Sequence, residues 1–160
     1  MSEEFDNTDN KSDIADIAGT IRDLFCIEKI DTRTYSPLAL AFIGDSVYEI
    51  IIRTLVTGLA NRPANSLNKA KVRYVNAAAQ AFIIDSIYDK LSEEEEAVYH
   101  RGRNAKSYTS AKNQSVIDYR KATGLEALCG YLYLSGRFDR VLELVQYGVK
   151  SLDARKGCKS

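Results

Sequence analysis

The sequence predicts an all-α protein. Apolar residues recur at helical spacing along most of its 160 residues, and no segment shows the sustained alternation of polar and apolar residues that marks a strand. Residues that start and stop helices fall between these apolar runs. Because a chain of this length, 45% of it hydrophobic, can bury a substantial core, we expect one bundle of helices joined by short polar loops.

Two helices are expected in the first third of the chain. A short amphipathic helix fits residues 14–25, although Gly19 weakens it. Ser36 and Pro37 then start a longer helix, because Ser caps free amides and Pro suits a first turn. This helix is apolar on nearly all sides as far as Gly58, as a helix in the middle of a bundle should be.

The next helices begin at serine residues. We expect Ser66 to cap a helix through residues 67–91, with an interruption near Asn76. Ser92 and Glu95 form a capping box for the helix that follows, and the acidic run around Glu95 is expected to be a solvated face.

A loop and two helices complete the chain. Residues 102–115 have the Gly, Ser and Asn content of a loop. Apolar periodicity then predicts one helix over 116–134 and a last amphipathic helix around 141–152.

The formal net charge is zero, but the charge is unevenly distributed. Residues 1–31 contain nine acidic and three basic side chains, a net charge of −6, so residues 32–160 carry +6. Because residues 1–12 also lack apolar periodicity, we interpret 1–31 as an acidic, partly disordered leader and 32–160 as the folded domain. A basic body indicates a polyanionic partner; mixed charge that only keeps the protein soluble is the ordinary alternative.

Composition excludes several classes of protein. The three Cys are widely spaced without a CxxC pair and His100 is the single His, so a disulfide scaffold, a zinc finger and a His-based catalytic triad are not expected. No apolar run approaches the ~18 residues of a membrane span, and the first residues are acidic where a signal peptide is basic. We expect a cytoplasmic protein that does not associate with membranes.

Two acidic residues lie in unusually apolar helices. Asp45 shares a helical stripe with apolar residues of 38–52, which directs its carboxylate into or beside the core, where it needs a compensating partner. A surface ladder with Glu49 and Arg53 is the ordinary alternative. Glu126 is likewise isolated in an apolar helix, although a lone Glu on an exposed helix face is common. If the two helices cross at these residues, their carboxylates form the hard oxygen site that Mg²⁺ uses, and Mg²⁺ can promote phosphodiester cleavage.

Basic and amide side chains could supply contacts to nucleic acid. They occur in two groups, around residues 69–73 and 101–121, and they suit phosphate and sugar contacts, while a solvated face is the alternative. The absence of Trp disfavours a base-stacking platform, so the backbone of double-stranded RNA is the expected ligand. The candidate RNA-binding residues are Lys69, Arg73, Arg101, Arg103, Asn104, Lys106, Lys112 and Asn113.

Several of these segments resemble the ribonuclease III family. LAFIGDSVY at 40–48 is similar to the family's signature helix, and GLEALCGYLYLSG at 124–136 to its second catalytic helix. PANSLNKAKVRYVN at 63–76 resembles the segment that leads from the intervening loop into the next helix. The short length and RGRNAK at 101–106 resemble most closely mini-ribonuclease III, the compact bacterial branch without a separate double-stranded-RNA-binding domain.

The resemblance implies the helical endonuclease-domain fold of ribonuclease III. It also implies a homodimer with one valley for double-stranded RNA and a Mg²⁺-dependent centre at each end. Asp45 and Glu126 match the family's metal-binding acids, whereas full-length members have further acids where this chain has Leu38, Ala41 and Thr123. The metal shell is therefore expected to be lean, with Glu49 and Thr123 as outer residues.

The activity implied is endoribonuclease cleavage of double-stranded RNA by metal-activated water, leaving 5′-phosphate ends. The compact branch is associated with maturation of precursor 23S ribosomal RNA, and that stem is the expected substrate. One alternative is a non-catalytic RNA-binding or ribosome-associated domain of the same fold, and another is a generic helical interaction module. Retention of both Asp45 and Glu126 favours the enzyme.

Overall fold

The computed structural model describes residues 16–105 and 115–157. Seven α-helices and two short 3-10 turns occupy these ranges, and no strand occurs within them. The all-α prediction is thus confirmed. The predicted disorder of residues 1–12 lies outside the described residues. The helices are α1 (Ile17–Leu24), α2 (Pro37–Leu59), α3 (Ala64–Val75), α4 (Ala77–Ile87), α5 (Glu93–Asn104), α6 (Val116–Leu134) and α7 (Phe138–Gly157).

The core forms around α6, which packs against α2, α4 and α5, while α7 packs on α4. Two glycines allow α2 and α6 to touch through their backbones. A Cβ atom on Gly44 would lie 1.6 Å from the carbonyl oxygen of Glu126, and one on Gly130 would lie 2.0 Å from that of Leu40. Neither position has room for a side chain. The crossing point of the two helices is therefore set by main-chain contact.

Three predicted helix ends are confirmed. Ser36 Oγ accepts a hydrogen bond from the Ala39 backbone N–H, with Pro37 in the first turn of α2. Asn76 ends α3 and also caps α4, which is the predicted interruption. The capping box at the start of α5 forms as expected.

The start of α3 was predicted wrongly. The helix begins at Ala64, directly after Pro63, and no side chain caps it. Ser66 lies inside the first turn, where its N–H already bonds to the Pro63 carbonyl. The fixed φ angle of proline favours a helix starting earlier than the serine indicates.

The acidic run at the start of α5 was expected to be a solvated face, and this expectation is wrong for Glu95. Glu95 is only 2% exposed. Arg140 of α7 donates to it from Nε at 2.8 Å and from a second guanidinium nitrogen at 3.0 Å. Burial favours the neutral form, but Arg140 and the Ser92 N–H together lower the pKa of Glu95 below its ordinary value. This buried ion pair ties α7 to α5.

None of the helices in the described ranges combines the length and the apolar character that crossing a membrane requires.

Candidate metal centre and RNA-binding residues

The α2–α6 crossing brings the two predicted acids together. Asp45 directly follows Gly44, whose Cα lies against the backbone of Glu126. The two carboxylates are close enough for the charge on Asp45 to raise the pKa of Glu126. A pair of acids separated by about eighty residues in sequence thus forms one site.

The stripe of apolar neighbours predicted that the Asp45 carboxylate lies in or beside the core, and the structure places it beside the core. It is exposed in the single chain, as are Leu38 and Phe42, which precede it on the same side of the helix. The buried face of α2 is centred instead on Leu40, Gly44 and the apolar positions that follow them. Leu38, Phe42 and Asp45 therefore lie at the edge of the face that α2 packs against the core. This is so because α6 contacts α2 at Gly44 and not along that stripe.

Among the described residues, no basic side chain forms an ion pair with Asp45. Lys71 and Arg53 each bind Glu49 at 3.0 Å, so Glu49 is the member of the predicted ladder that is paired. Partial burial and the charge of Glu49 raise the pKa of Asp45, while Lys71 lowers it.

Glu126 is the more buried of the two acids. Burial, followed by repulsion from Asp45, raises its pKa to about 7, and a hydrogen bond from the Gln80 side chain opposes the rise. A buried carboxylate whose ionisation is disfavoured by a neighbouring carboxylate is an arrangement that a cation relieves.

A pocket of about 190 Å³ opens beside Glu126, between α4 and α6. Thr123, the predicted outer residue, lines it and donates from Oγ1 to the Tyr119 carbonyl at 3.1 Å. Gln80 also lines the pocket and is only 2% exposed. Its Nε2 donates to the Val75 carbonyl, whereas its Oε1 has no hydrogen-bond partner among the described residues.

The chemistry of these groups fits Mg²⁺. Within residues 16–105 and 115–157, no group of three or more His, Cys, Asp or Glu side chains is placed to hold a metal ion. The donors at the crossing are two carboxylates, and no histidine or accessible cysteine of the described ranges lies beside them. Mg²⁺ prefers hard oxygen donors and keeps several of its waters, so a small all-oxygen set suits it.

The predicted RNA-binding residues lie on different helices and differ in whether their side chains are free to bind a ligand. Lys69 and Arg73 are exposed on α3, and the Arg73 guanidinium lies 5.8 Å from the centre of the Tyr74 ring. Arg101 instead donates to the Tyr35 carbonyl at 3.1 Å. Three further candidates, Lys106, Lys112 and Asn113, lie outside the described residues.

The end of α5 and the start of α6 form a second pocket, of about 260 Å³. Arg103 and Asn104 line it together with Arg120 and Lys121, which belong to the same basic stretch of sequence. Lys121 is held by Asp85 at 2.8 Å. The pocket offers amide and cationic donors on one surface.

Gln80 was not anticipated from the sequence. The available signal was a single polar side chain in the otherwise apolar run AAAQAFII at 77–84. That pattern cannot distinguish a helix position facing solvent from one facing a pocket, because the distinction depends on α6.

The chain is similar to a known protein family over most of its length. The Ribonuclease III domain matches residues 38–137, which include both acids. The chain belongs to the ribonuclease III family. It is 46% identical over 135 residues to mini-ribonuclease 3 of Thermoanaerobacter sp. (strain X514), an alignment that covers 84% of this chain and 95% of that protein. It is 49% identical over 116 residues to mini-ribonuclease 3 of Brevibacillus brevis, covering 72% and 87%.

The fold agrees with this assignment. The crystal structure of protein FN1578 from Fusobacterium nucleatum matches with a TM-score of 0.67 and 32% identity, over 74% of this chain and 95% of that one. As a ribonuclease III family member, the chain is an endoribonuclease, and the family resemblance predicted from the sequence is confirmed.

Proposed function

We propose that the chain is a Mg²⁺-dependent endoribonuclease that cleaves double-stranded RNA, with Asp45 and Glu126 as its metal-binding and catalytic residues. The observation that carries the proposal is the backbone contact between Gly44 of α2 and Glu126 of α6, which supports a shared site because Asp45 follows Gly44 and its charge acts on Glu126. A non-catalytic helical scaffold would have no use for two mutually repelling carboxylates at its central crossing.

Mg²⁺ bound there would lower the pKa of a water molecule and stabilise the charge that develops on the cleaved phosphate. Four side chains of the chain shape this site. Glu126 is anchored in the wall of the pocket, while Asp45 faces the open side. Glu49, fixed by Lys71 and Arg53, adds negative potential one helical turn from Asp45. Thr123 shapes the pocket as an outer residue.

Binding of double-stranded RNA is assigned to the exposed basic and amide side chains. Arg103 and Asn104 at the end of α5, and Lys69 and Arg73 on α3, are suited to phosphate and sugar contacts. Lys106, Lys112, Asn113 and Arg101 complete the proposed set. Because such contacts release counterions, RNA binding should weaken steeply with added salt.

The enzyme is proposed to act as a homodimer through the exposed apolar side of α1 and α2. Phe42 is 81% exposed, and Leu24 and Phe25 at the end of α1 are 75% and 73% exposed. Such side chains are normally covered by a partner. Since Phe42 lies one helical turn before Asp45, a second copy seated there would bring the two centres close to one shared interface.

The biological assignment rests on family resemblance. We propose maturation of a precursor 23S ribosomal RNA stem in the cytoplasm, with products bearing 5′-phosphates. Residues 32–160 would form the catalytic domain, and residues 1–31 an acidic leader that lowers the net charge of the molecule.

Cleavage of a purified RNA duplex tests the proposal. The wild type should cut the duplex with Mg²⁺ and not with chelator, and should leave a single strand of the same sequence intact. Asp45→Asn and Glu126→Gln should each reduce the rate by at least ~100-fold, whereas Asp139→Asn, an exposed acid of α7, should not. Cleavage that survives either site substitution, or that does not depend on metal, would contradict the mechanism.

A further inference from the structure

The end of α7 places two basic side chains on aromatic rings of α3 and α4. The Lys156 ammonium lies 5.6 Å from the centre of the Tyr74 ring. The Arg155 guanidinium lies 4.8 Å from the centre of the Phe82 ring. Contacts of this kind hold a cation in place, because the face of an aromatic ring attracts positive charge. The two charges at the end of α7 are thus fixed against the neighbouring helices.

A third cation lies beside the same tyrosine. The Arg73 guanidinium of α3 is 5.8 Å from the centre of the Tyr74 ring, so α3 and α7 each bring a positive group to this ring. Partial burial, followed by the charge of Arg73, lowers the pKa of Lys156, whereas the charge of Asp153 raises it. We name Arg73, Arg155 and Lys156 the α3–α7 basic patch.

The cations of the α3–α7 basic patch are not paired within the described part of the chain. None of the three side chains forms an ion pair there, and all three are exposed. Asp153, the acid that acts on Lys156, accepts a hydrogen bond from the Tyr74 hydroxyl at 2.9 Å instead. Exposed cations that are close together and have no acidic partner form a surface that suits an anion.

The patch adjoins the proposed metal centre through α3. Asn76, at the end of α3, lines the pocket beside Glu126, and Tyr74 comes just before it in the chain. The Tyr74 carbonyl accepts a hydrogen bond at 2.6 Å from the hydroxyl of Tyr48, which lies one helical turn after Asp45 on α2. Tyr74 therefore contacts α2 through its main chain and the patch through its ring. A long polyanion with one phosphate at the metal centre can reach the patch with another.

We propose that the α3–α7 basic patch binds backbone phosphates of the RNA duplex beside the cleavage site, with Arg155 and Lys156 as RNA contacts that α7 supplies. This inference rests on the proposed function, which makes double-stranded RNA the substrate. Both residues lie after residues 38–137, the part that matches the Ribonuclease III domain, so the match assigns them no role. Guanidinium and ammonium groups suit this role because they donate to phosphate oxygens without reading the base sequence.

Binding of an RNA duplex in the presence of chelator tests the inference without any cleavage. The Kd is measured by fluorescence anisotropy over a series of KCl concentrations. Arg155→Gln and Lys156→Gln should each weaken binding about 3- to 10-fold near 0.1 M KCl and reduce the slope of log Kd against log[KCl] by about 0.7 to 1, the loss of one phosphate contact. Lys156→Arg keeps the charge and should retain the wild-type slope. A purely structural role of Lys156 predicts a lower Tm with an unchanged slope.

Lys90→Gln is the matched control. Lys90 also lies on a tyrosine, 4.2 Å from the centre of the Tyr147 ring. Tyr147 comes about two and a half turns before Lys156 and is therefore on the opposite side of α7. The control removes the same charge and should leave the slope unchanged, because salt screens a charge that does not contact the RNA.

Two results would overturn the inference while the proposed function stands. One is a wild-type slope in either Arg155→Gln or Lys156→Gln. The other is an equal loss of slope in Lys90→Gln, which would show that RNA binding responds only to the net charge of the protein. Failure of the proposed function would be recognised separately. In that case the wild type would neither bind nor cleave the RNA duplex, and the patch would be refuted with it.

Discussion

Glu126 makes the stability of the metal-free protein depend on pH. Its pKa is about 7 in the folded chain against an ordinary 4.5, so between these values the folded state keeps a proton that the unfolded chain has released. The free energy of unfolding should therefore fall as the pH rises from about 4.5 to 7 and level off above, by at most about 3 kcal/mol. Urea unfolding in chelator measures it. Glu126→Gln should lack this decline, and an equal decline in the variant would refute the assignment.

Arg140 should be among the costliest side chains to remove. Its loss leaves Glu95 buried without its cation, an arrangement that costs about 3–5 kcal/mol. We expect Arg140→Met to lose stability by that amount in urea unfolding. The double variant with Glu95→Gln should recover part of the loss, since no buried charge remains. A double variant less stable than Arg140→Met would show that the pair does not act in this way.

For the candidate metal centre, the sequence predicted which residues are of interest better than it predicted whether their side chains are exposed or buried. An acid isolated in an apolar helix is visible in the sequence, and this signal selected Asp45 and Glu126 as candidates, which the fold then brings to one helix crossing. Whether a position faces solvent, a pocket or another helix depends on partners distant in the chain. For that reason Asp45 could be predicted only to lie in or beside the core, and Gln80 was missed.

The crossing of α2 and α6 should tolerate no side chain at its glycines. Gly44→Ala places a Cβ against a main-chain oxygen that cannot move without displacing α6, so we expect a loss of at least about 3 kcal/mol in thermal or urea unfolding. Gly58→Ala, near the end of the same helix, meets no atom within 4 Å and should stabilise by about 0.4–1 kcal/mol. Equal effects at the two positions would contradict the main-chain contact.

Helix starts were predicted correctly from the sequence where a capping side chain was the main local determinant. Ser36 and Ser92 cap as predicted, and Asn76, where an interruption was predicted, caps α4; each side-chain oxygen reaches an amide three residues ahead. At α3 a proline three residues before Ser66 overrode the serine. Glu95 was called solvated because its ion-pair partner on α7 lies 45 residues away and cannot be read from the run itself.

The whole molecule is predicted to dimerise through Phe42. In a two-fold interface each substitution removes two aromatic side chains, each worth about 1.5–3 kcal/mol when buried, so Phe42→Ser should weaken the dimer by at least ~100-fold in Kd. Sedimentation velocity over a concentration series measures this change. Tyr147→Ser on α7, 45% exposed, is the control and should leave the dimer intact. A dimer unaffected by Phe42→Ser would move the interface elsewhere.

Direct main-chain contact at Gly44 and Gly130 also separates two properties that are usually linked in enzymes. The helices that bear Asp45 and Glu126 touch through main-chain atoms at these two glycines, so the spacing of the two carboxylates depends little on substitutions remote from the crossing. Volume-conserving exchanges in the α4–α7 interface, for example at Ile83 or Val145, can then adjust the melting temperature while the spacing of the two carboxylates stays constant. Heat tolerance can thus be changed in this fold without moving the two acids relative to each other.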